Sequence, residues 1–251
     1  MSANTKPDAS THSPAAVILA GGKGTRLAPY TTVLPKPLMP LGDMPVLEIL
    51  LRQLHAAGVG DVVLCVGHLS SLIEAYFGDG GSLGLSIRYS REQEPLGTAG
   101  PLRSVDGLDA PFFVMNGDLL TSMDFSDMLR HHSDSEAAMT VGLTRRNVRI
   151  DLGVVETDAA GRVTGYVEKP TFDYDVSMGI YVIDPRVLDH LPPSGPFDLP
   201  DLVLELVAAG EPVISHRTTG YWLDIGRPDD FEEASRLFED NRGVFLPNAL
   251  T

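Results

Sequence analysis

Residues 15–27 read AAVILAGGKGTRL. Ala15 to Ala20 carry no polar side chain, and the run is closed at once by Gly21 and Gly22. An apolar run of that length ended by glycine predicts a strand buried on both faces, as in a parallel sheet covered by helices. The same rhythm recurs downstream. Residues 45–57 (PVLEILLRQLHAA) place apolar side chains at helical spacing, with Pro45 at the start and Gly58 just beyond the end. DVVLCVG (61–67) is a second buried strand, and 70–77 a helix closed by Gly78. Residues 85–92 alternate like a strand, 98–105 make a short helix, and PFFVMNGD (111–118) is a strand running into a polar loop. Strand–helix alternation of this kind predicts an α/β fold with a doubly wound, mostly parallel, Rossmann-like sheet.

The second half changes pace. Strand patterns at 137–145, 152–158, 163–170 and 177–185 are joined by short connectors. An amphipathic helix (199–210), a strand (212–220) and an acidic helix (229–240) follow. No internal repeat or low-complexity linker separates the halves. The expected organisation is a polar, disordered tail (1–14), one catalytic domain (15–240) and a C-terminal tail (241–251). Within the domain, 15–120 and 121–240 form two halves that differ in rhythm. Ligands of open α/β sheets bind beyond the carboxyl ends of the strands. The loops after Ala20, Glu92, Asn116 and Asp224 are therefore the places to look.

The loop at 21–27 can bring backbone N–H groups close to phosphate. It is not a P-loop, because GxxxxGK[ST] puts the lysine directly before a Ser or Thr, whereas Lys23 precedes the Gly24-Thr25 pair. Nor is it a dinucleotide fingerprint: Leu27 stands where the third glycine belongs, and Pro29, Pro35 and Pro37 would break the helix that fingerprint opens. Between Ala15 and Gly42 the only charges are Lys23, Arg26 and Lys36. The chain as a whole carries −15, from 19 basic and 34 acidic residues. A basic island in so acidic a protein suits a small anion, and the overall charge argues against nucleic acid or an anionic membrane. Arg26 offers a planar fork for two phosphate oxygens, and Lys36 a point charge stiffened by flanking prolines. Asp118, at the end of an apolar strand, is a candidate Mg²⁺ ligand or a turn residue.

Other classes fall away. The single cysteine, Cys65, lies in a strand and permits no disulfide framework, which fits a cytoplasmic protein. No apolar run approaches the roughly 18 residues of a membrane span. There is no HExxH and no GxSxG, so neither a zincin nor an α/β-hydrolase is indicated.

The stretch LAGGKGTRLAPYTTVLPKPLMPLGDMPVLE (19–48) resembles the signature of the sugar-1-phosphate nucleotidylyltransferases, with an appearance nearest the mannose-1-phosphate guanylyltransferases. The likeness continues through LGTAG (96–100), NGD (116–118), VEKP (167–170), GIYV (179–182) and WLDIG (222–226). It implies a nucleotide-diphospho-sugar transferase fold and attack of a sugar 1-phosphate on a nucleoside triphosphate with release of pyrophosphate. It further implies that Arg26 holds the β,γ-phosphates and Lys36 meets the reacting phosphate. Gly21, Gly22, Gly24, Thr25, Gly97 and Thr98 would bracket the nucleotide; Gln93 or a neighbour would meet the base edge, the alternative for Gln93 being an exposed loop residue. Asn116, Gly153, Glu168, Lys169 and Ser177 would take the sugar phosphate, and Asp118 and Asp224 would hold Mg²⁺. On position alone Asp224 would sooner cap the helix after it. Ser177 replaces the asparagine usual at its position, which opens the sugar to heptose or cyclitol phosphates. LGTAGPL favours GTP and a mannose-like sugar; dTTP, UTP, CTP and ATP are alternatives. A non-catalytic nucleotide-sugar-binding homologue is the alternative class. Assembly into a homo-oligomer stays open.

Overall fold

The computed structural model describes residues 14–246. The chain runs β1 (Ala15–Ala20), a short hairpin of β2 (Pro40–Leu41) and β3 (Met44–Pro45), α1 (Val46–Ala56), β4 (Asp61–Val66), α2 (Ser70–Phe77), β5 (Ser86–Arg91), β6 (Phe112–Asn116), β7 (Leu119–Thr121) and α3 (Phe125–Ser135). There follow β8 (Met139–Arg149), β9 (Val154–Thr157), β10 (Val163–Val167), β11 (Thr171–Ile183), α4 (Leu199–Ala209), β12 (Val213–Arg217), β13 (Trp222–Asp224), α5 (Pro228–Asp240) and α6 (Arg242–Phe245).

Seven strands form one sheet in the order β12-β8-β11-β6-β1-β4-β5. Neighbours pair in parallel except β11, which runs antiparallel to both β6 and β8. Strands from both halves of the sequence thus share the sheet. Its two faces explain the unbroken apolar runs. Ala16, Ile18 and Ala20 of β1, with Val62, Leu64 and Val66 of β4, pack on one face against Leu47, Leu50, Leu51 and Leu54 of α1. Val17, Val63 and Cys65 face the other side, against Leu199, Leu202 and Leu206 of α4. Alternate residues go to opposite faces, so a strand buried on both needs apolar residues throughout. Cys65 is fully buried, and burial pushes its thiol up to about 12. Among the described residues no helix is long and apolar enough to cross a membrane.

Several expectations need correction. The expected helix at 98–105 is a 3-10 turn, Gly100–Ser104, with Pro101 in its first turn. The expected strand at 163–170 ends at Val167, and Lys169 takes a left-handed backbone (φ 47°). The strand expected from 177 starts at Thr171. Its first half pairs with the far end of β8 in a ribbon whose polar residues hid it: Asp173 and Asp175 lie opposite Asn147 and Arg145. The expected C-terminal tail at 241–251 is structured as far as Leu246, because Phe245 and Leu246 are buried in a third apolar cluster with Leu27, Leu41 and Ile225. Residues 1–13 of the expected N-terminal tail, and 247–251, lie outside the described residues.

Candidate active site

β1, β4, β5 and β6 all end on one side of the sheet, and their following loops form the site. Two cavities lie there. The smaller, about 290 Å³, is lined by Gly22, Gly24, Thr25, Arg26, Lys36, Pro37 and Asp118, among others. The larger, about 760 Å³, is lined by residues that include Gly21, Gly22, Lys23, Gly67, Glu92, Gln93, Gly97, Thr98 and Asn116. Leu19, Gly22 and Asp118 belong to both, so the two form one cleft.

The loop after β1 folds back beneath itself. Gly24 has φ 61°, and an added Cβ would stand 2.9 Å from Thr31 Cγ2 and 3.2 Å from Lys36 Cβ. Thr31 Oγ1 donates to Gly24 O at 2.8 Å. This close approach tucks Lys36 under the glycine loop. Arg26 sits in the single turn Thr25–Leu27, which buried Leu27 anchors in the third cluster. Its guanidinium lies flat over Gly226, where an added Cβ would meet Nη2, Cζ and Nη1 at 3.4–3.5 Å. It pairs with no acid among the described residues.

Asp118 and Asp224 are far apart in sequence and are joined by strand pairing. β13 runs antiparallel to β7 with Asp224 opposite Leu119, and Ile225 N donates to Asp118 O at 3.2 Å. Both carboxylates converge on Lys36 Nζ, which forms an ion pair with Asp118 and lies 3.5 Å from Asp224 Oδ1. Asp118 Oδ1 is buried with no hydrogen-bond partner. Burial pushes the Asp118 carboxyl above the usual carboxylate range, Lys36 opposes this, and Asp224 adds to it. An orphaned buried carboxylate oxygen beside a second carboxylate is a donor set that fits a hard divalent cation completed by phosphate oxygens. Asp118 and Asp224 are the residues that would hold one. Among the described residues no cluster of three or more such ligands exists.

The larger cavity also holds Glu92, the neighbour of Gln93, which the sequence did not single out by itself. Glu92 accepts a hydrogen bond from Leu96 N at 3.2 Å through Oε2. Its Oε1 lies against Gly21, 2.8 Å from where a Cβ would stand. Burial raises its carboxyl above the ordinary value. A carboxylate just past a strand end was the only available signal, and it is a common one. Gln93 lines the same cavity and is exposed. Thr98 lines it too, but its hydroxyl is bonded to Asp198 and to Leu199 N.

The expected sugar-phosphate set is split. Asn116 lines the larger cavity and packs against Gly179, whose φ of 69° and 2.7 Å clearance to Asn116 Nδ2 exclude a side chain. Ser177 lies at the bulge in β11, its hydroxyl 3.1 Å from Tyr181 Oη. Gly153 and Glu168 meet through Tyr166, another residue missed in the sequence. Tyr166 Oη covers Gly153, leaving no room for a Cβ, and donates to Glu168 Oε2 at 3.0 Å. Glu168 and Lys169 are exposed just past β10, where the base of the β9–β10 hairpin leads into β11, and line neither cavity. Trp222 packs on the core and donates to Met178 O at 2.9 Å, a structural role.

A doubly wound sheet bearing a glycine loop, an arginine with no acidic partner among the described residues and a lysine between two aspartates marks an α/β protein with a cleft suited to phosphate. The chain belongs to the nucleotidyl transferase family, whose sequence pattern matches residues 15–241. It is 37% identical over 232 residues to a mannose-1-phosphate guanylyltransferase of Mycobacterium tuberculosis, covering 90% of this chain and 64% of that protein. It is 34% identical over 255 residues to a UTP–glucose-1-phosphate uridylyltransferase of Synechocystis, covering 92% of this chain and 66% of that one. The chain thus spans just under two thirds of these relatives. A structure described as a Bacillus anthracis glucose-1-phosphate thymidylyltransferase in complex with sucrose superposes with a TM-score of 0.74 at 25% identity, covering 90% of this chain and 95% of that one. The fold is that of the nucleotide-diphospho-sugar transferases.

Proposed function

We propose that the protein transfers a nucleotidyl group from a nucleoside triphosphate to a sugar 1-phosphate and releases pyrophosphate, with GTP and a mannose-like sugar as its pair. The observation that carries this reading is the convergence of Arg26, Lys36 and Asp118 in one cavity continuous with a second, larger one that has room for a nucleoside. Nucleotidyl transfer brings two anions together, so positioning and charge neutralisation are its main demands. Arg26, without an acidic partner among the described residues, grips the outer phosphates of the triphosphate. Lys36 neutralises charge at the reacting phosphate. Mg²⁺ held by Asp118 and Asp224 would draw charge from the phosphates when bound. Residues 15–120 hold the nucleotide, and 121–240 supply Asn116's neighbour Gly179, Ser177 and the hairpin with Gly153, Glu168 and Lys169 for the sugar phosphate. Because that hairpin lines neither cavity, it engages from the rim.

Glu92 supports guanine. Guanine presents N1–H and the N2 amino group side by side, and a carboxylate accepts from both. Uracil and thymine present one N–H between two carbonyls, which a carboxylate repels. The identity to a uridylyltransferase, nearly equal to that with the guanylyltransferase, keeps UTP with glucose 1-phosphate as the second reading. A matrix of five triphosphates against sugar 1-phosphates, read by pyrophosphate release with Mg²⁺, separates these. GTP with mannose 1-phosphate is expected to be fastest. Turnover best with UTP would move the assignment to the second reading, and no turnover with any pair would leave a binding homologue.

A further inference from the structure

Asp198 stands at the N-cap of α4 in extended conformation (φ −104°, ψ 152°). Aspartate favours this position because its carboxylate accepts an otherwise unpaired N–H from the helix's first turn. Here the carboxylate makes no bond to its own helix, and only the backbone carbonyl does, accepting from Leu202 N at 3.0 Å. Asp198 Oδ1 instead accepts from Thr98 N at 2.8 Å and from Thr98 Oγ1 at 3.1 Å. Leu199 N in turn donates to Thr98 Oγ1 at 2.8 Å, so a residue of the LGTAG loop caps α4 in place of Asp198.

The exchange is part of a larger clamp. Phe197 N donates to Leu96 O at 2.8 Å, and Phe197 O accepts from Ala99 N at 2.8 Å and Gly100 N at 3.0 Å. Arg103 reaches across to Pro192 O at 3.1 Å and Gly195 O at 2.5 Å. Gly97 has φ 76°, and a Cβ there would stand 2.5 Å from Phe197 O and 2.8 Å from Asp198 Oδ1. Leu96, held by Phe197, is also the residue whose N–H fixes Glu92. α4 gives the clamp a firm base, since Leu199, Leu202 and Leu206 are buried in the second apolar cluster. Asp198 itself lines neither cavity.

We infer that Asp198 is a positioning residue for nucleobase selection: it fixes residues 96–99, and through Leu96 also Glu92, against α4, and it touches no substrate. The inference rests on the nucleotidyl-transfer reading. A carboxylate diverted from its own helix to a loop on the ligand cavity rigidifies the edge that reads the base. The phosphate end, with Arg26 and Lys36, lies in the other cavity and does not depend on it. Loosening the loop therefore weakens base discrimination and triphosphate binding while leaving chemistry intact.

The test uses the full chain and steady-state pyrophosphate release with each triphosphate at saturating sugar 1-phosphate. Asp198→Ala is expected to raise KM for the preferred triphosphate about tenfold, to shrink its kcat/KM advantage over the next-best one by a similar factor, and to keep kcat within about twofold. Asp198→Asn, which retains the accepting oxygen, should stay within about threefold of the parent on every count. Asp124→Ala removes an ordinary N-cap, the bond from Asp127 N on α3, and should leave selectivity unchanged. Thr98→Val, which keeps shape and loses the hydroxyl, should reproduce the loss of selectivity in smaller measure and serves if Asp198→Ala does not fold. Selectivity unchanged in Asp198→Ala and Thr98→Val, or an equal fall in kcat for all triphosphates, would overturn the inference alone. No pyrophosphate from the parent with any triphosphate would overturn it together with the reading it rests on.

Discussion

Replacing Lys36 by methionine tests the electrostatics of the site without any assay of turnover. In the ligand-free protein one ammonium serves two carboxylates, Asp118 in an ion pair and Asp224 at 3.5 Å. Removing it leaves two like charges facing each other, one with a buried oxygen that has no partner. Breaking a fully buried pair costs about 3–5 kcal/mol. Here the Asp118 side chain is 21% and the Asp224 side chain 43% exposed, so solvent screens much of the repulsion. A cost of about 2 kcal/mol is expected, or a melting temperature lower by about 4–8 °C for a chain of this size. Adding Asp118→Asn should restore about half of it, since the cycle removes the repulsion that the single variant exposed. A divalent cation should rescue the variant more than the parent, because no ammonium competes for the carboxylates. At ten times its dissociation constant it contributes about 1.4 kcal/mol. The assay is thermal unfolding followed by circular dichroism, in EDTA and in Mg²⁺. A variant melting with the parent in EDTA, or equal stabilisation of both by Mg²⁺, would refute this picture of the site.

Arg26→Ala should leave the melting temperature within about 2 °C, as Arg26 is exposed and unpaired among the described residues, yet lower turnover by about 10²–10³; near-parental turnover would remove it from the mechanism. Glu92→Gln should cut kcat/KM for GTP by about tenfold to a hundredfold and narrow the gap to UTP, since an amide offers a donor where guanine also donates; an unchanged ratio would mean another group reads the base. His132 is buried with Nδ1 2.9 Å from Thr140 Oγ1, and burial holds its imidazole below the ordinary value, with Asp184 opposing and Arg186 assisting. The unfolded chain therefore takes up this proton first, so the stability it protects is full above about pH 6.5 and declines as pH falls below it. His132→Leu should flatten that decline in denaturant titrations between about pH 6.5 and 5, leaving the part due to His216, which burial also lowers; an unaltered slope would exclude His132 as its source.

The sheet was legible in the sequence because double burial forces apolar residues at every strand position, as in AAVILA and DVVLCV. The phosphate end was legible because Arg26 and Lys36 lie on one short, acid-free segment. What was hidden depends on long-range pairing. Asp224 reaches Asp118 through β7 and β13, three residues each, too short to announce themselves. α3 is marked by Phe125, Met128 and His132 on its buried face, and a histidine in that stripe disguises the period. The ribbon at Thr171 escaped because its strands are exposed on both faces, so that Val148, Phe172 and Tyr174 mark no core. Thr98 looked like a ligand-facing hydroxyl, and only the fold shows it bonded to Asp198, a hundred residues on.

Transfer of the nucleotidyl group to a sugar phosphate is read directly by ³¹P NMR of a single mixture. With the protein, GTP, mannose 1-phosphate and Mg²⁺, the account predicts that the sugar phosphate resonance is replaced by a sugar-linked diphosphate pair while pyrophosphate grows in equal amount. Formation of GDP and inorganic phosphate with mannose 1-phosphate untouched, or an unchanged spectrum with every triphosphate and sugar 1-phosphate tried, would contradict it.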